Sequence, residues 1–149
     1  MKSARSTSTG NKPLIGISMG DPLGIGPEVI VKALADPQLR ASARFVILGL
    51  HDALELAADQ AEINRFWWRE PYDGCPRVSS GVLVSDFDDL PQPRVNGTHG
   101  PDETAGQASF RFVEEAIRHL RSGAIDALVT GPISKEAWRM ARYSFRGHT

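Results

Sequence analysis

Short apolar runs alternate along this chain with stretches in which apolar residues recur at helical spacing. Leu14 to Met19 is apolar and leads into the glycine-rich segment Gly20-Asp21-Pro22-Leu23-Gly24-Ile25-Gly26-Pro27. Pro27 to Ala35 then carries an amphipathic pattern that Asp36-Pro37 closes, so the segment reads as strand, tight loop, short helix. Phe45 to Gly49 is continuously apolar, as expected of a strand buried on both faces of a parallel sheet. Asp52 to Ala61 reads as a helix, and Val82-Leu83-Val84 as a third short strand. Thr104 to Arg121 predicts the longest helix, its apolar stripe set by Ala105, Ala108, Phe112, Ala116 and Leu120, with Gly123 as its stop. Ile125 to Val129 is a fourth strand, and Ser134 caps a last helix from Lys135 to Arg142. Strands alternating with helices predict an α/β fold, a doubly wound three-layer α/β/α arrangement on a mainly parallel sheet.

Between these elements, Phe66-Trp67-Trp68 reads as core or as a contact between subunits. The stretch from Asp86 to Pro101 holds three prolines and two glycines and predicts a long connection, functional or used in assembly. Residues 1–12, rich in Ser and Thr with three basic side chains, predict a disordered tail, leaving 13–149 as the α/β part.

Composition narrows the function classes. The 149 residues are 41% hydrophobic and 23% charged, ordinary for a globular protein. A formal net charge of −1 gives no electrostatic basis for binding nucleic acid or an anionic membrane. The single cysteine, Cys75, excludes an internal disulfide and fits a cytoplasmic location. It sits in a Gly-Cys-Pro turn with no basic helix behind it, poor surroundings for a reactive thiol.

The candidate chemistry lies in the glycine loops. Gly20, Gly24 and Gly26 admit backbone angles and close approaches that a Cβ would block, and the loop ends on free N–H groups at a helix start. The spacing is neither the dinucleotide fingerprint nor a P-loop. Asp21 places a carboxylate where open α/β sheets bind ligands. A second loop, Thr130-Gly131-Pro132, follows another strand, so in a parallel sheet both loops converge on one crevice. The histidines are scattered. His51 opens a helix, His119 lies within the long one and His99 sits in the proline-rich connection, without the close pairing of a metal site.

Three segments, MGDPLGIGPEV (Met19 to Val29), LVTGPISKEA (Leu128 to Ala137) and FRGHT (Phe145 to Thr149), closely resemble the 4-hydroxythreonine-4-phosphate dehydrogenase family. GIGPEV is more distantly similar to the glycine loop of isocitrate and isopropylmalate dehydrogenases, whose fold that family shares. The resemblance implies NAD-dependent oxidation and decarboxylation of 4-phosphooxy-L-threonine to 3-amino-2-oxopropyl phosphate, a step toward pyridoxal 5′-phosphate. It implies a divalent metal ion (zinc, magnesium or cobalt) as Lewis acid, and a homodimer with its site at the subunit boundary. The family's substrate-binding His-Thr pair falls on His148 and Thr149. Its metal-binding histidines, and most of its nicotinamide-nucleotide site, fall beyond the GHT motif, so this chain is expected to hold no metal ligand and to be the front part of a longer enzyme, inactive alone. Asp21 and Lys135 are candidate cleft residues, Lys135 either as a charge for phosphate or carboxylate or as a solvated helix lysine. The turn Arg142-Tyr143-Ser144-Phe145-Arg146 is bulkier and more basic than the small glycine-containing turn common in the family. That departure leaves open dehydrogenation of 4-phospho-D-threonate or 4-phospho-D-erythronate, oxidation of dihydrodiols, or a truncated protein that binds without catalysis.

Overall fold

The structure, a computed structural model, describes residues 11–93 and 100–145. In chain order the elements are β1 (Leu14–Ser18), α1 (Gly26–Leu34), α2 (Pro37–Ser42), β2 (Arg44–Gly49), α3 (His51–Gln60), β3 (Trp68–Pro71), β4 (Val82–Asp86), α4 (Glu103–Ser122), β5 (Ala127–Thr130) and α5 (Lys135–Met140). All strand pairings are parallel, and the strands lie in the order β3-β4-β2-β1-β5.

Parallel register sorts the side chains. Ile15, Ile17, Phe45, Ile47, Val82 and Val84 share one face, while Gly16, Val46, Leu48 and Leu83 share the other. Helices α1 and α3 pack side by side, and α4 runs against β1, β2 and β5. Right-handed crossovers place α1 and α3 on one face and α4 on the other, which gives the three layers. Val46, Leu48 and Val82 are fully buried, as the unbroken apolar runs require.

Each helix boundary has a local cause. Asp36 accepts from Gln38 N and so starts α2 rather than merely ending α1, and no residue of α2 is buried. Because α2 carries no apolar stripe, its sequence reads as a connection. Asp102 accepts from Ala105 N at 2.8 Å and caps α4, which ends at Gly123 with φ 78°. Ser134 accepts from Ala137 N at 3.1 Å and caps α5, as its sequence predicts.

The sheet has five strands where the apolar pattern predicts four. The extra one, β3, is an edge strand whose four residues are all exposed, and it contains Pro71. An exposed edge needs no apolar alternation and tolerates proline, so nothing in its hydropathy marks it. Of the adjacent tryptophans, Trp67 is 5% exposed and belongs to the core, set edge-on to Phe66 at 5.0 Å. Trp67 is thus a core residue and not a surface contact, whereas Trp68 remains 38% exposed.

The strand order carries the functional consequence. The chain leaves β1 for β2 on one side, then returns across the sheet through α4 to set β5 on the other side of β1. Between β1 and β5 the winding direction reverses, and such a switch point opens a crevice at the C-terminal ends of the strands.

Candidate functional site at the switch point

The two loops that leave this switch point are the glycine-rich segments after β1 and β5, and they clasp each other. Gly131 N donates to Ser18 O at 2.7 Å, and Asp21 N donates to Pro132 O at 2.9 Å. The glycines are what allow it. A Cβ on Gly20 would overlap Pro132 O, and one on Gly131 or Gly26 would overlap Met19 O. Gly20 also has φ 79°, where side chains are disfavoured. Gly20 and Gly131 therefore serve loop-to-loop packing, and Gly26 allows a close approach within its own loop. Gly24 is the exception, with only Asp21 near its missing side chain.

Asp21 is 9% exposed, and its Oδ1 accepts from Leu23 N at 2.9 Å while its carbonyl accepts from Gly24 N at 3.0 Å. Burial pushes its carboxyl above the ordinary aspartate range; the Leu23 N–H pulls back, and nearby Asp102 adds to the rise. A desolvated carboxyl in a crevice marks a functional candidate. Ser18, at the end of β1, is wholly buried and its hydroxyl has no hydrogen-bond partner. Lys135 stands exposed in the first turn of α5, three residues past Pro132. Two of the four residues expected in the site, Asp21 and Lys135, thus flank the loop junction. The other two, His148 and Thr149, lie outside the described residues, as does His99. Cys75 is exposed in a turn where its N–H donates to Asp73.

The metal and NAD implied by the resemblance find few partners among these groups. Asp21 supplies a single carboxylate, held through Oδ1 by a backbone N–H, and Gly20, Gly26 and Gly131 face protein backbone. The described residues of the switch point therefore offer no metal ligand set and no dinucleotide cradle.

A second polar constellation has no counterpart in the sequence motifs. Tyr72, just past β3, places its hydroxyl against Glu115 Oε2, within 3.0 Å of His119 Nε2 and of Arg118 Nη2. Burial raises the Tyr72 hydroxyl to about 12, with Glu115 adding to the rise. Burial alone would raise Glu115, but the Tyr72 hydroxyl, Arg118 and Arg111 more than offset it and hold its carboxyl below the usual range. Burial, then Arg118, lower His119. Tyr72 and His119 are 47 positions apart, so no local pattern could reveal the cluster. Asp86 was missed as well. Its Oδ1 accepts from His51 N at 2.9 Å and caps α3 from a neighbouring strand, while its Oδ2 accepts from Arg69 Nε at 2.6 Å. An aspartate ending a buried strand was the available signal.

At the N-terminal ends of the strands, opposite the switch-point loops, a shallow groove of about 630 Å³ is lined by Leu14, Arg44, Pro76, Arg77, Val78 and Asp126 among others. Arg44 binds Lys12 O and Val78 O, and Asp126 accepts from Leu14 N, so those charges serve the backbone. No helix among the described residues is long and apolar enough to cross a membrane.

Comparison with known proteins agrees with the loop motifs. Residues 41–149 match the family described as pyridoxal phosphate biosynthetic protein PdxA. The chain is 33% identical over 141 residues to 4-hydroxythreonine-4-phosphate dehydrogenase of Trichlorobacter lovleyi, covering 93% of this chain and 41% of that protein. It is 37% identical over 140 residues to D-threonate 4-phosphate dehydrogenase of Cupriavidus necator, covering 92% and 41%. Among solved structures, the 4-hydroxythreonine-4-phosphate dehydrogenase of Burkholderia phymatum superposes with TM-score 0.79 at 31% identity, covering 92% of this chain and 41% of that one. The chain thus spans about two fifths of the length of the relatives it matches. With the fold, both glycine loops and this alignment in agreement, the chain belongs to the PdxA family of pyridoxal phosphate biosynthetic proteins.

Proposed function

We propose that this chain is the N-terminal part of an NAD-dependent dehydrogenase that oxidises and decarboxylates 4-phosphooxy-L-threonine to 3-amino-2-oxopropyl phosphate. The observation that carries this reading is the clasp between the β1 and β5 loops at the switch point, held by Gly131 N to Ser18 O and Asp21 N to Pro132 O. It fixes the start of α1 and the start of α5 relative to each other, as an enzyme must to orient one substrate. NAD, when bound, would accept a hydride from the substrate's C3 carbon as the C3 hydroxyl gives up its proton, and the resulting β-keto acid would then lose carbon dioxide.

This chain's own contribution is binding and orientation. Asp21 holds the loop in shape through Leu23, and Lys135 supplies a positive charge within reach of a phosphate or carboxylate. His148 and Thr149 are proposed as hydrogen-bonding partners of the substrate's polar groups. The metal (zinc, magnesium or cobalt), the homodimer and a cytoplasmic location belong to the same proposal, with the metal held by residues beyond Thr149.

A second reading, action on 4-phospho-D-threonate, is favoured by the 37% identity to the Cupriavidus necator enzyme. The turn after α5, where Tyr143 and Phe145 stack on Phe110, departs from the small glycine-containing turn of the family. The test is NADH formation by a polypeptide of the relatives' full length that carries this chain. The substrates compared are 4-phosphooxy-L-threonine, 4-phospho-D-threonate and 4-phospho-D-erythronate. The first should show the highest kcat/KM. A higher value on a sugar acid would transfer the assignment to the second reading. Ligand binding without NADH formation would mark a non-catalytic binding protein.

A further inference from the structure

The first turn of α3 gathers His51, Asp52 and Glu55, with one ligand atom from each lying within 4.8 Å of the others. Exposed acidic groups alone would mean nothing, but the histidine is unusual. Its side chain is 9% exposed, and its Nε2 is buried without a hydrogen-bond partner. Buried ring nitrogens ordinarily find partners, as His119 does in Tyr72. The ring is also held in place. Trp67 meets it edge-on at 6.5 Å, and Asp86 grips the His51 backbone N–H at 2.9 Å.

What faces the orphan nitrogen is a carboxylate. Glu55 Oε1 lies 3.5 Å from Nε2, one helical turn along. Two ligands each ~2.1 Å from a zinc ion, at a tetrahedral angle, lie ~3.4 Å apart. The pair therefore already has the span of two zinc ligands. Asp52 is 87% exposed, with Oδ1 3.8 Å from Nδ1, and its exposure leaves it room to swing toward the same point as the third ligand and second oxygen donor. One imidazole with carboxylates suits zinc or cobalt better than calcium or magnesium, which prefer all-oxygen shells. Arg65 Nη1, 3.1 Å from Glu55 Oε1, competes for the carboxylate.

We propose that His51, Glu55 and Asp52 form a transition-metal site of the zinc class at the start of α3, completed by water. It lies at the C-terminal end of β2, one strand away from β1 and its glycine loop. Its role is to tie His51 and Glu55 together across the first turn of α3, beside the cap that Asp86 already supplies.

The test is calorimetric titration of the 149-residue chain with zinc chloride, paired with the visible absorption of its cobalt complex. One equivalent should bind with a nitrogen and oxygen ligand signature. Glu55→Gln, a change at a half-exposed position, should weaken binding roughly tenfold or more. Arg65→Gln should tighten it, because the competing guanidinium is gone. His51→Gln should abolish it, with circular dichroism confirming the fold; should that variant unfold, the Glu55 and Arg65 variants decide. Absence of zinc binding, or an affinity unchanged by both Glu55→Gln and Arg65→Gln, would overturn the site.

Discussion

Two polar junctions hold this molecule together, and they are built in opposite ways. At the switch point the clasp between the β1 and β5 loops is made by backbone groups, and side chains are excluded because a Cβ on Gly20 or Gly131 would strike the opposing backbone. Across the α4 face the junction at Tyr72 is made wholly by side chains, with Glu115, Arg118 and His119 meeting one hydroxyl. The first tolerates almost no substitution and needs no charge. The second depends on protonation states and can lose a member without a steric clash. Geometry defines one junction, and electrostatics the other.

The sharpest break should come from Gly20→Ala. It adds left-handed strain of roughly 1–2 kcal/mol to an overlap with Pro132 O that costs typically ~1–3 kcal/mol, so a loss of about 3 kcal/mol is expected by urea unfolding. The same change at Gly100, which has nothing near its missing side chain, should be close to neutral. Next is Tyr72→Phe, which strips the hydroxyl from three partners at once and should cost about 1–3 kcal/mol. Equal losses for Gly100→Ala and Gly20→Ala, or a neutral Tyr72→Phe, would erase the contrast.

Titration separates the junctions further. Glu115 and His119 both titrate below their ordinary values of 4.5 and 6.5 in the folded chain. The unfolded chain therefore takes up protons first, and the stability these groups contribute is lost as pH falls below 6.5 and then below 4.5. Asp21 works the other way. Its carboxyl is raised above 3.8, so its contribution is lost as pH rises through the folded value. Chemical denaturation measured between pH 7 and 4 should show declining stability, and Tyr72→Phe should flatten that decline because Glu115 loses the hydroxyl that lowers it.

How far each junction was legible follows from the same contrast. Glycine, proline and aspartate at fixed offsets announce a tight loop, so both halves of the switch-point clasp could be read from Gly20 to Pro27 and Thr130 to Pro132. What the pattern could not show is that the glycines face each other more than they face a ligand. The Tyr72 cluster was illegible, because Tyr72 follows an edge strand without apolar alternation and its partner Glu115 lies on a helix 43 positions away. Strand β3 and helix α2 escaped for a related reason, since neither buries an apolar face. His148 and Thr149, the strongest motif residues, lie outside the described structure.

The smallest effect is expected at the turn after α5. Arg142 N donates to Arg139 O and Tyr143 N to Trp138 O, a helix stop whose left-handed position ordinarily holds glycine. Arg142 sits there at φ 67°. Arg142→Gly should raise stability by up to ~1 kcal/mol, the relieved strain being partly offset by the freer unfolded chain. A loss of stability would show that the arginine side chain makes a favourable contact of its own.

The central claim is that the two clasped loops bound one ligand crevice. Its most direct test is amide chemical-shift mapping of the relatives'-length polypeptide, isotope-labelled and titrated with 4-phosphooxy-L-threonine. The N–H signals of Gly20 to Gly26 and of Gly131 to Lys135 that have protons should shift together, with one dissociation constant, while Arg77 and Val78 at the opposite ends of the strands stay still. Shifts centred on the Arg77 groove, or in one loop without the other, would contradict it.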